Sequence, residues 1–527
     1  MKKVLVSDSM SEKGIEIFKN ADGVEVDVNT GLSPDELKEI IGQYHGLAIR
    51  SATKVTADII DAADNLKVIG RAGIGVDNVD TPAASKRGIV VMNTPGGNTI
   101  TTAEHSIAMI LSLSRNIPQA TASMRQGLWE KKKFIGKEVF NKTLGVLGLG
   151  NIGRIVTSRA QGLRMNVIAY DPFISQEAVE KLGVELVSLD ELFKRSDIIT
   201  IHSPKTDETL NLLNKKNFSK MKKGVMIVNC ARGGIVNEDD LLWALDEGIV
   251  GGAALDVFSK EPPEPSPLME HERVILTPHL GASTEEAQVN VAVAVAEQIV
   301  DYLTRGIVRN ALNMPSVSPE AAAEIQPYLN LAEILGSFLS QLGLPGLTEI
   351  NIEYQGEVMN LETPPITVAF LKGIFEPILE EKANYVNAPL IAKERGIKVV
   401  ESKSEKAGGY TNMIRLTAKT KKGEKVIAGT IFGVDNPRIL ELNEFKLEAI
   451  PHGIMLVLKN DDKPGVVGSI GTMLGENNIN LALMHMARTK MGGTALVILS
   501  VDDDVPPEVM DKLKKLPHVL TVQQVKL

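Results

Sequence analysis

A chain of 527 residues is too long for one hydrophobic core and divides into about three or four domains at ordinary domain sizes. Its 66 acidic residues outnumber 57 lysines and arginines, and no basic block exceeds Lys131–Lys133, which argues against a nucleic-acid-binding surface. A single cysteine, Cys230, excludes a disulfide framework; with a first segment that reads as a strand and no apolar run of membrane-spanning length, a soluble, cytoplasmic protein is expected.

From residue 1 to 95, short apolar strands at Val4–Ser7, Leu47–Arg50, Val68–Gly70 and Val90–Met92 alternate with helical stretches at Ser33–Gly42 and Ala57–Ala63. This alternation predicts a small parallel-sheet domain. A turn-rich segment at 93–99 leads into an apolar helix, Thr101–Leu113, that crosses into a second unit. There the alternation resumes, with later strands at Asp197–His202, Val225–Cys230 and Gly252–Val257. A helix over Ser283–Thr304 returns the chain to the first unit and makes it discontinuous, so the expected domains are 1–96 with 281–312, and 97–280. Residues 316–450 read as a mixed α/β domain without a catalytic motif. From Gly453 onward, strand Ile454–Leu458, a helix to about Glu476, strands Ile479–Arg488 and Thr494–Val501, helix Pro506–Lys515 and strand Val519–Val525 predict a ferredoxin-like βαββαβ unit over 453–527.

The segment Thr143–Arg154 carries the most specific signal. An apolar strand runs into Gly148, Gly150 and Gly153 and opens a helix, which is the context a dinucleotide fingerprint requires. Gly148 permits the tight turn, Gly150 lets backbone approach a pyrophosphate, and Gly153 lets helix and strand pack, with the phosphates at the helix N-terminus. The next strand ends in Asp171, whose carboxylate suits the ribose hydroxyls of NAD and repels the extra phosphate of NADP. A doubly wound Rossmann unit that binds NAD is therefore expected. The glycines of Ala72–Asn78 show that partial look-alikes arise easily, so context decides.

Three residues downstream add a hydride-transfer site. Arg232 ends a strand and can grip a substrate carboxylate through two parallel hydrogen bonds. His279, in a turn after another strand, can exchange a proton with a hydroxyl, and Glu261 can bond its other ring nitrogen and fix the tautomer. The remaining histidines show no comparable acidic partner. No His/Cys ligand cluster calls for a metal. Cys230 beside Arg232 reads as a buried thiol near the cofactor rather than a nucleophile. A strand-capping structural arginine and a solvated Glu261 are the plain alternatives.

On these residues the chain resembles the D-isomer-specific 2-hydroxyacid dehydrogenases, and within them the long subtype that acts on 3-phosphoglycerate. The likeness rests on the Gly148–Gly153 loop with Asp171, on 229–234, on Glu261 followed by two prolines, and on 277–283. It implies a flavodoxin-like substrate domain, an intervening domain and a C-terminal ACT domain. It assigns substrate binding to Arg232 and the acid/base pair to His279 and Glu261. It also implies NAD contacts from Asn151, Ile152, Ser203, Cys230, Ala231, Asp256, Gly281 and Ala282. Arg50, Ser51 and Arg71 look like substrate-facing positions, with Arg50 and Arg71 as phosphate ligands, the backbone around Gly73 and Ile74 as carboxylate receptor, and Asn98 as a neutral donor. Trp129 and Lys131–Lys133 reach a neighbouring subunit's site in such enzymes, although a solvated charge run is the plain reading.

The resemblance further implies oxidation of D-3-phosphoglycerate in L-serine biosynthesis, L-serine as effector at paired ACT domains through Asn460, Asp462 and Asn480, and a homotetramer. Asn460 stands where a histidine or tyrosine is expected, and Asp462 has the alternative role of helix N-cap. Other readings stay open: a glycerate, hydroxypyruvate or glyoxylate reductase, an NAD-sensing binding protein, and an amino-acid sensor.

Overall fold

The computed structural model describes residues 1–315, 319–379 and 383–527. Five strands, β1 (Lys2–Val6), β2 (Val24–Val28), β3 (Gly46–Ile49), β4 (Val68–Arg71) and β5 (Val90–Asn93), form a parallel sheet in the order β2-β1-β3-β4-β5. That is the flavodoxin-like order. Strands β3 and β5 are buried along their whole length, as a sheet covered on both faces requires. The edge strand β2 was not expected from the sequence, because its valines alternate with Glu25 and Asp27 and only Val24 is fully buried.

Helix α1 (Glu12–Asn20) covers one face of this sheet together with a much later helix. Before that helix the chain builds α2 (Thr99–Arg115) and a second sheet containing β6 (Thr143–Leu147), β7 (Asn166–Tyr170), β8 (Glu185–Leu186), β9 (Ile198–Ile201), β10 (Val225–Asn229), β11 (Val250–Leu255) and β12 (Val274–Leu276). All seven are parallel, in the order β12-β11-β10-β9-β6-β7-β8. The order reverses between β6 and β9, so the crevice beyond their carboxyl ends is where a ligand binds in sheets of this kind. Helix α3 (Asn151–Gly162) starts at that crevice.

Helix α4 (Glu285–Arg305) is capped by Thr284, whose hydroxyl accepts the Ala287 N–H, and stops at Gly306 in a left-handed conformation. Its buried stripe of Val291, Val295, Ala296, Ile299 and Leu303 packs on Val4, Val6, Ala48, Val68 and Val90 of the first sheet. Helices α1 and α4 nearly touch: a side-chain carbon on Gly14 would stand 2.7 Å from the Ala292 carbonyl oxygen. Past α4 the chain pairs beside β5, with Leu312 donating to the Val91 carbonyl.

The start expected for the next domain, residue 316, lies outside the described residues. Beyond it, α5 (Pro319–Gln341) and α6 (Thr363–Phe375) lie against a sheet ordered β14-β13-β15-β16-β17-β18, built from β13 (Glu349–Gly356), β14 (Lys398–Ser404), β15 (Asn412–Thr420), β16 (Gly423–Phe432), β17 (Asn436–Leu442) and β18 (Phe445–Ala449). Only β13 and β14 are parallel neighbours there. The last unit has β19 (Ile454–Asp461), α7 (Val466–Glu476), β20 (Leu481–Arg488), β21 (Thr494–Val501), α8 (Pro507–Lys514) and β22 (Val519–Lys526), with sheet order β20-β21-β19-β22. This is the expected βαββαβ arrangement. One face of its sheet covers α7 and α8 through Leu456, Leu458, Val497 and Leu499. The alternate residues Met455, Val457, Leu496, Ile498 and Val525 join the hydrophobic core of the preceding sheet.

Candidate active site

The chemistry-bearing residues sit on loops at the carboxyl ends of strands from two domains, and they surround a cleft of about 290 Å³. The glycine loop has the conformation its sequence demands. Gly148 takes φ +92, a left-handed value that glycine adopts without strain, and a side-chain carbon there would meet the His202 carbonyl oxygen at 2.7 Å. At Gly150, by contrast, such a carbon would project into open space, and Gly150 caps α3 with no side chain covering the helix N-terminus. These observations fit a pyrophosphate laid over the loop and held by free backbone N–H groups. Gly153 packs so closely on the Gly148 carbonyl that an added carbon would lie 2.1 Å away. Asp171 follows β7; one of its carboxylate oxygens accepts the Leu149 N–H at 2.8 Å and the other the Phe173 N–H at 2.9 Å. The carboxylate is thus fixed against the glycine loop.

After β10, the Asn229 side chain folds the turn that presents Arg232. Its amide nitrogen donates to the Arg232 carbonyl at 2.9 Å and its oxygen accepts the Ala231 N–H at 3.1 Å. Arg232 Nη1 donates to the Ala231 carbonyl, and Nε lies 3.2 Å from Asp77 Oδ2, a residue of the first domain. Cys230, in the same turn, is buried, and burial pushes its thiol up to about 12, so it stays protonated.

After β11, Asp256 organises the turn that carries the imidazole. Its carboxylate accepts the N–H groups of Leu280 (2.7 Å) and Gly281 (2.8 Å) and the Thr277 hydroxyl, and its main-chain oxygen accepts the His279 N–H. His279 itself has φ +55, a value uncommon outside glycine and held here by these bonds. Its Nδ1 lies 2.7 Å from Glu261 Oε2, and Glu261 Oε1 accepts the Phe258 N–H at 3.1 Å. The two side chains that the resemblance pairs therefore lie within hydrogen-bond distance of each other.

Asp256, expected as an NAD contact, has no exposed surface, and its carboxylate bonds the His279 turn. One expectation needs correction. His279 is not alone in having an acidic partner at a strand end: His105 Nε2 of α2 lies 3.2 Å from Asp256 Oδ1 and 3.3 Å from the Thr277 hydroxyl. The His105 contact could not be read locally, because α2 and the end of β11 are far apart in the chain.

The cleft wall brings together Arg71, Ile74, Asn98, Ile152, Ser203, Cys230, Ala231, Arg232, His279, Gly281 and Ala282. Arg71 is a half-buried cation whose pKa desolvation and the facing Arg232 lower to about 10, and its Nε has no partner. Asn98 Oδ1 is likewise buried without a partner. Gly73, at φ +137, leaves the space that the Arg71 guanidinium fills. Arg50 and Ser51 do not line the cleft; Arg50 Nη1 donates to the Ser9 carbonyl at 3.1 Å. Among residues not singled out from the sequence, Gly75, Asp77, Thr102, His202 and Pro204 complete the wall. His202 is held neutral by burial, which lowers its pKa to about 4, and its Nε2 lies 2.9 Å from Thr200 Oγ1. Trp129 is 81% exposed on the segment that also carries Lys131–Lys133.

Comparison with known proteins agrees with this geometry. Residues 107–281 match the NAD-binding domain of D-isomer-specific 2-hydroxyacid dehydrogenases, 324–443 the D-3-phosphoglycerate dehydrogenase intervening domain, and 454–518 the ACT domain. D-3-phosphoglycerate dehydrogenase of Synechocystis is 46% identical across 100% of this chain and 95% of its own length, and that of Archaeoglobus fulgidus is 46% identical across 100% of both. The chain belongs to the D-3-phosphoglycerate dehydrogenase family. The dehydrogenase half of this family member also resembles a crystal structure of NAD-dependent formate dehydrogenase from Staphylococcus aureus in complex with NAD, at 30% identity and a TM-score of 0.54 over 60% of this chain and 100% of that one. It carries the family's NAD-binding domain, with the intervening and ACT domains of the long form behind it. Among its described residues no helix is long and apolar enough to cross a membrane.

In the ACT domain the three effector candidates do not meet within one chain. Asp462 accepts the Gly492 N–H at 3.0 Å and pairs with Arg488 at 3.1 Å, beside the Thr494 end of β21. Asn480 lies at the Val501 end and donates to Asp502. Asn460 is buried within β19. Gly465, not Asp462, is the residue before α7, so the N-cap alternative does not hold.

Proposed function

We propose that this protein oxidises D-3-phosphoglycerate to 3-phosphohydroxypyruvate with NAD, entering L-serine biosynthesis, and that L-serine regulates it through the ACT domain. The observation that carries the reading is the cleft in which Arg71 and Arg232 face the Glu261–His279 pair. NAD, when bound, supplies the hydride acceptor for the hydrogen on the hydroxyl-bearing carbon. His279 Nε2 takes the hydroxyl proton as the carbonyl forms, while the Nδ1 bond to Glu261 fixes the tautomer and supports the imidazolium. Arg232 binds the carboxylate, and its charge keeps the reacting carbon oriented; Arg71 and Arg50 meet the phosphate, with the backbone of Gly73 and Ile74 and the Asn98 side chain completing the grip. Asp171 receives the adenosine ribose and disfavours NADP.

The domains proposed to do this are 1–96 with 281–312 for substrate, 97–280 for NAD, 316–450 as the intervening domain and 453–527 for regulation. A cytoplasmic homotetramer is the form we propose, and the opposite-end positions of Asp462 and Asn480 fit an effector held between paired ACT domains, one residue from each copy. The test is NADH formation with a panel of D-3-phosphoglycerate, D-glycerate and D-lactate. Turnover should require the phosphorylated acid; equal use of D-glycerate would replace this reading with that of a general 2-hydroxyacid dehydrogenase.

A further inference from the structure

Asp77 lies in the loop after β4, and its Oδ2 reaches across the cleft to within 3.2 Å of Arg232 Nε. The proposed chemistry makes no use of it. The contact depends on Gly75, where a side-chain carbon would stand 2.1 Å from Arg232 Nη2 and 2.9 Å from Asp77 Oδ2. Charge around the pair is lopsided. Arg71 feels the repulsion of both Arg232 and Arg50, with Asp77 and Asp8 opposing it. Asp8 is already committed, accepting from the backbone of Arg50 and Thr53 and from the Thr53 hydroxyl. Asp77 is not: its side chain is 74% exposed.

We infer that Asp77 is an internal stand-in for the substrate carboxylate, occupying Arg232 in the free enzyme and displaced when a ligand anion arrives. The inference rests on Arg232 being the carboxylate-binding group. An exposed ion pair is a weak one, which suits a partner that must let go. Displacing it consumes ground-state binding energy, so its effect falls on KM more than on kcat. After oxidation the same carboxylate competes for Arg232 again and assists release of the product.

Asp77→Asn keeps the size and an acceptor oxygen but removes the charge. In this variant KM for D-3-phosphoglycerate should fall about two- to fivefold, the range an exposed ion pair supports, and more at low ionic strength. Calorimetric titration of the enzyme–NADH complex with oxalate, a simple carboxylate probe, should show the same tightening. Asp77→Ala, which also removes the acceptor, should tighten oxalate as well. Unchanged or weaker binding in these variants would assign Asp77 to orienting Arg232 and overturn the proposal, as would oxalate that fails to bind either protein. If D-3-phosphoglycerate gives no NADH with the parent while oxalate still tightens in Asp77→Asn, the substrate reading fails and the displacement stands.

Discussion

Glu261 Oε2 sits 2.7 Å from His279 Nδ1 while Glu261 Oε1 is pinned by the Phe258 N–H, so the acid is itself held before it holds the ring. Only Nε2 is left for the substrate. His279→Ala is expected to lower kcat by about 10²–10⁴ with little change in NADH affinity measured by fluorescence titration. Glu261→Gln should retain more activity than Glu261→Ala, because an amide oxygen still accepts from Nδ1. Normal turnover by His279→Ala would remove it from the mechanism.

The anchor of that turn has a predictable pH range. Burial raises the pKa of Asp256, but bonds from His105, Thr277 and Leu280 outweigh burial and hold the carboxyl below the ordinary aspartate range. A lowered folded-state pKa gives stability that is full above the unfolded value of about 4 and lost as the pH falls through the folded one. The Leu280 and Gly281 amides should therefore stay protected from hydrogen exchange between about pH 5 and 8 and open only in stronger acid. Loss of protection already near neutrality would contradict this.

Cofactor choice should follow Asp171. Asp171→Ala is expected to raise the ratio of kcat/KM for NADP over NAD by roughly tenfold or more, since the extra phosphate no longer meets a carboxylate. Because Asp171 also braces Leu149, turnover with NAD should drop in the same variant. A parent enzyme that used both cofactors equally would refute the assignment.

Arg71 and Arg50 should differ in weight. Arg71 lines the cleft with a spare donor, whereas Arg50 lies outside its lining and is bonded to the Ser9 carbonyl. Arg71→Ala is expected to raise KM for D-3-phosphoglycerate by about 10- to 100-fold, as for loss of a charge-assisted bond, and KM for D-glycerate much less. Arg50→Ala should show a smaller contrast. Equal penalties on both substrates would move the phosphate site elsewhere.

Regulation is tested on the full chain. Asp462 is held by Gly492 and Arg488 at one end of the ACT sheet, where an amino group could join it. Asp462→Ala should raise the L-serine concentration for half-inhibition by about tenfold, the loss expected of a charge-assisted contact. If serine at millimolar levels neither binds nor inhibits the parent, the effector is another molecule.

Short-range chemistry was legible in the sequence, and long-range chemistry was not. Gly148, Gly150 and Gly153 announce their loop because backbone geometry dictates them within six positions, and the βαββαβ unit shows in the alternation of Ile454–Val525. Asp77 and His105 stayed hidden because each meets a partner more than a hundred residues away, Arg232 and Asp256, brought close only when the sheets form. The third sheet resisted for a related reason: β13 sits between a parallel and an antiparallel neighbour, and strand polarity leaves no mark on local composition.

Met455, Val457, Leu496, Ile498 and Val525 lend one side of the ACT sheet to the core of the domain before it. A chain cut at residue 452 would leave that greasy half-core bare, so truncation would report on misfolding rather than on loss of an effector. The shared core binds the two C-terminal domains into one unit. They meet the dehydrogenase half where Val386 enters the core of the first sheet, Asn384 donates to the Gly88 carbonyl at 3.0 Å and Lys86 approaches Glu394 at 3.9 Å, the last two just ahead of β5. The contact lies beside β5, the strand that leads into α2, and Asn98 and Thr102 at the start of α2 line the cleft.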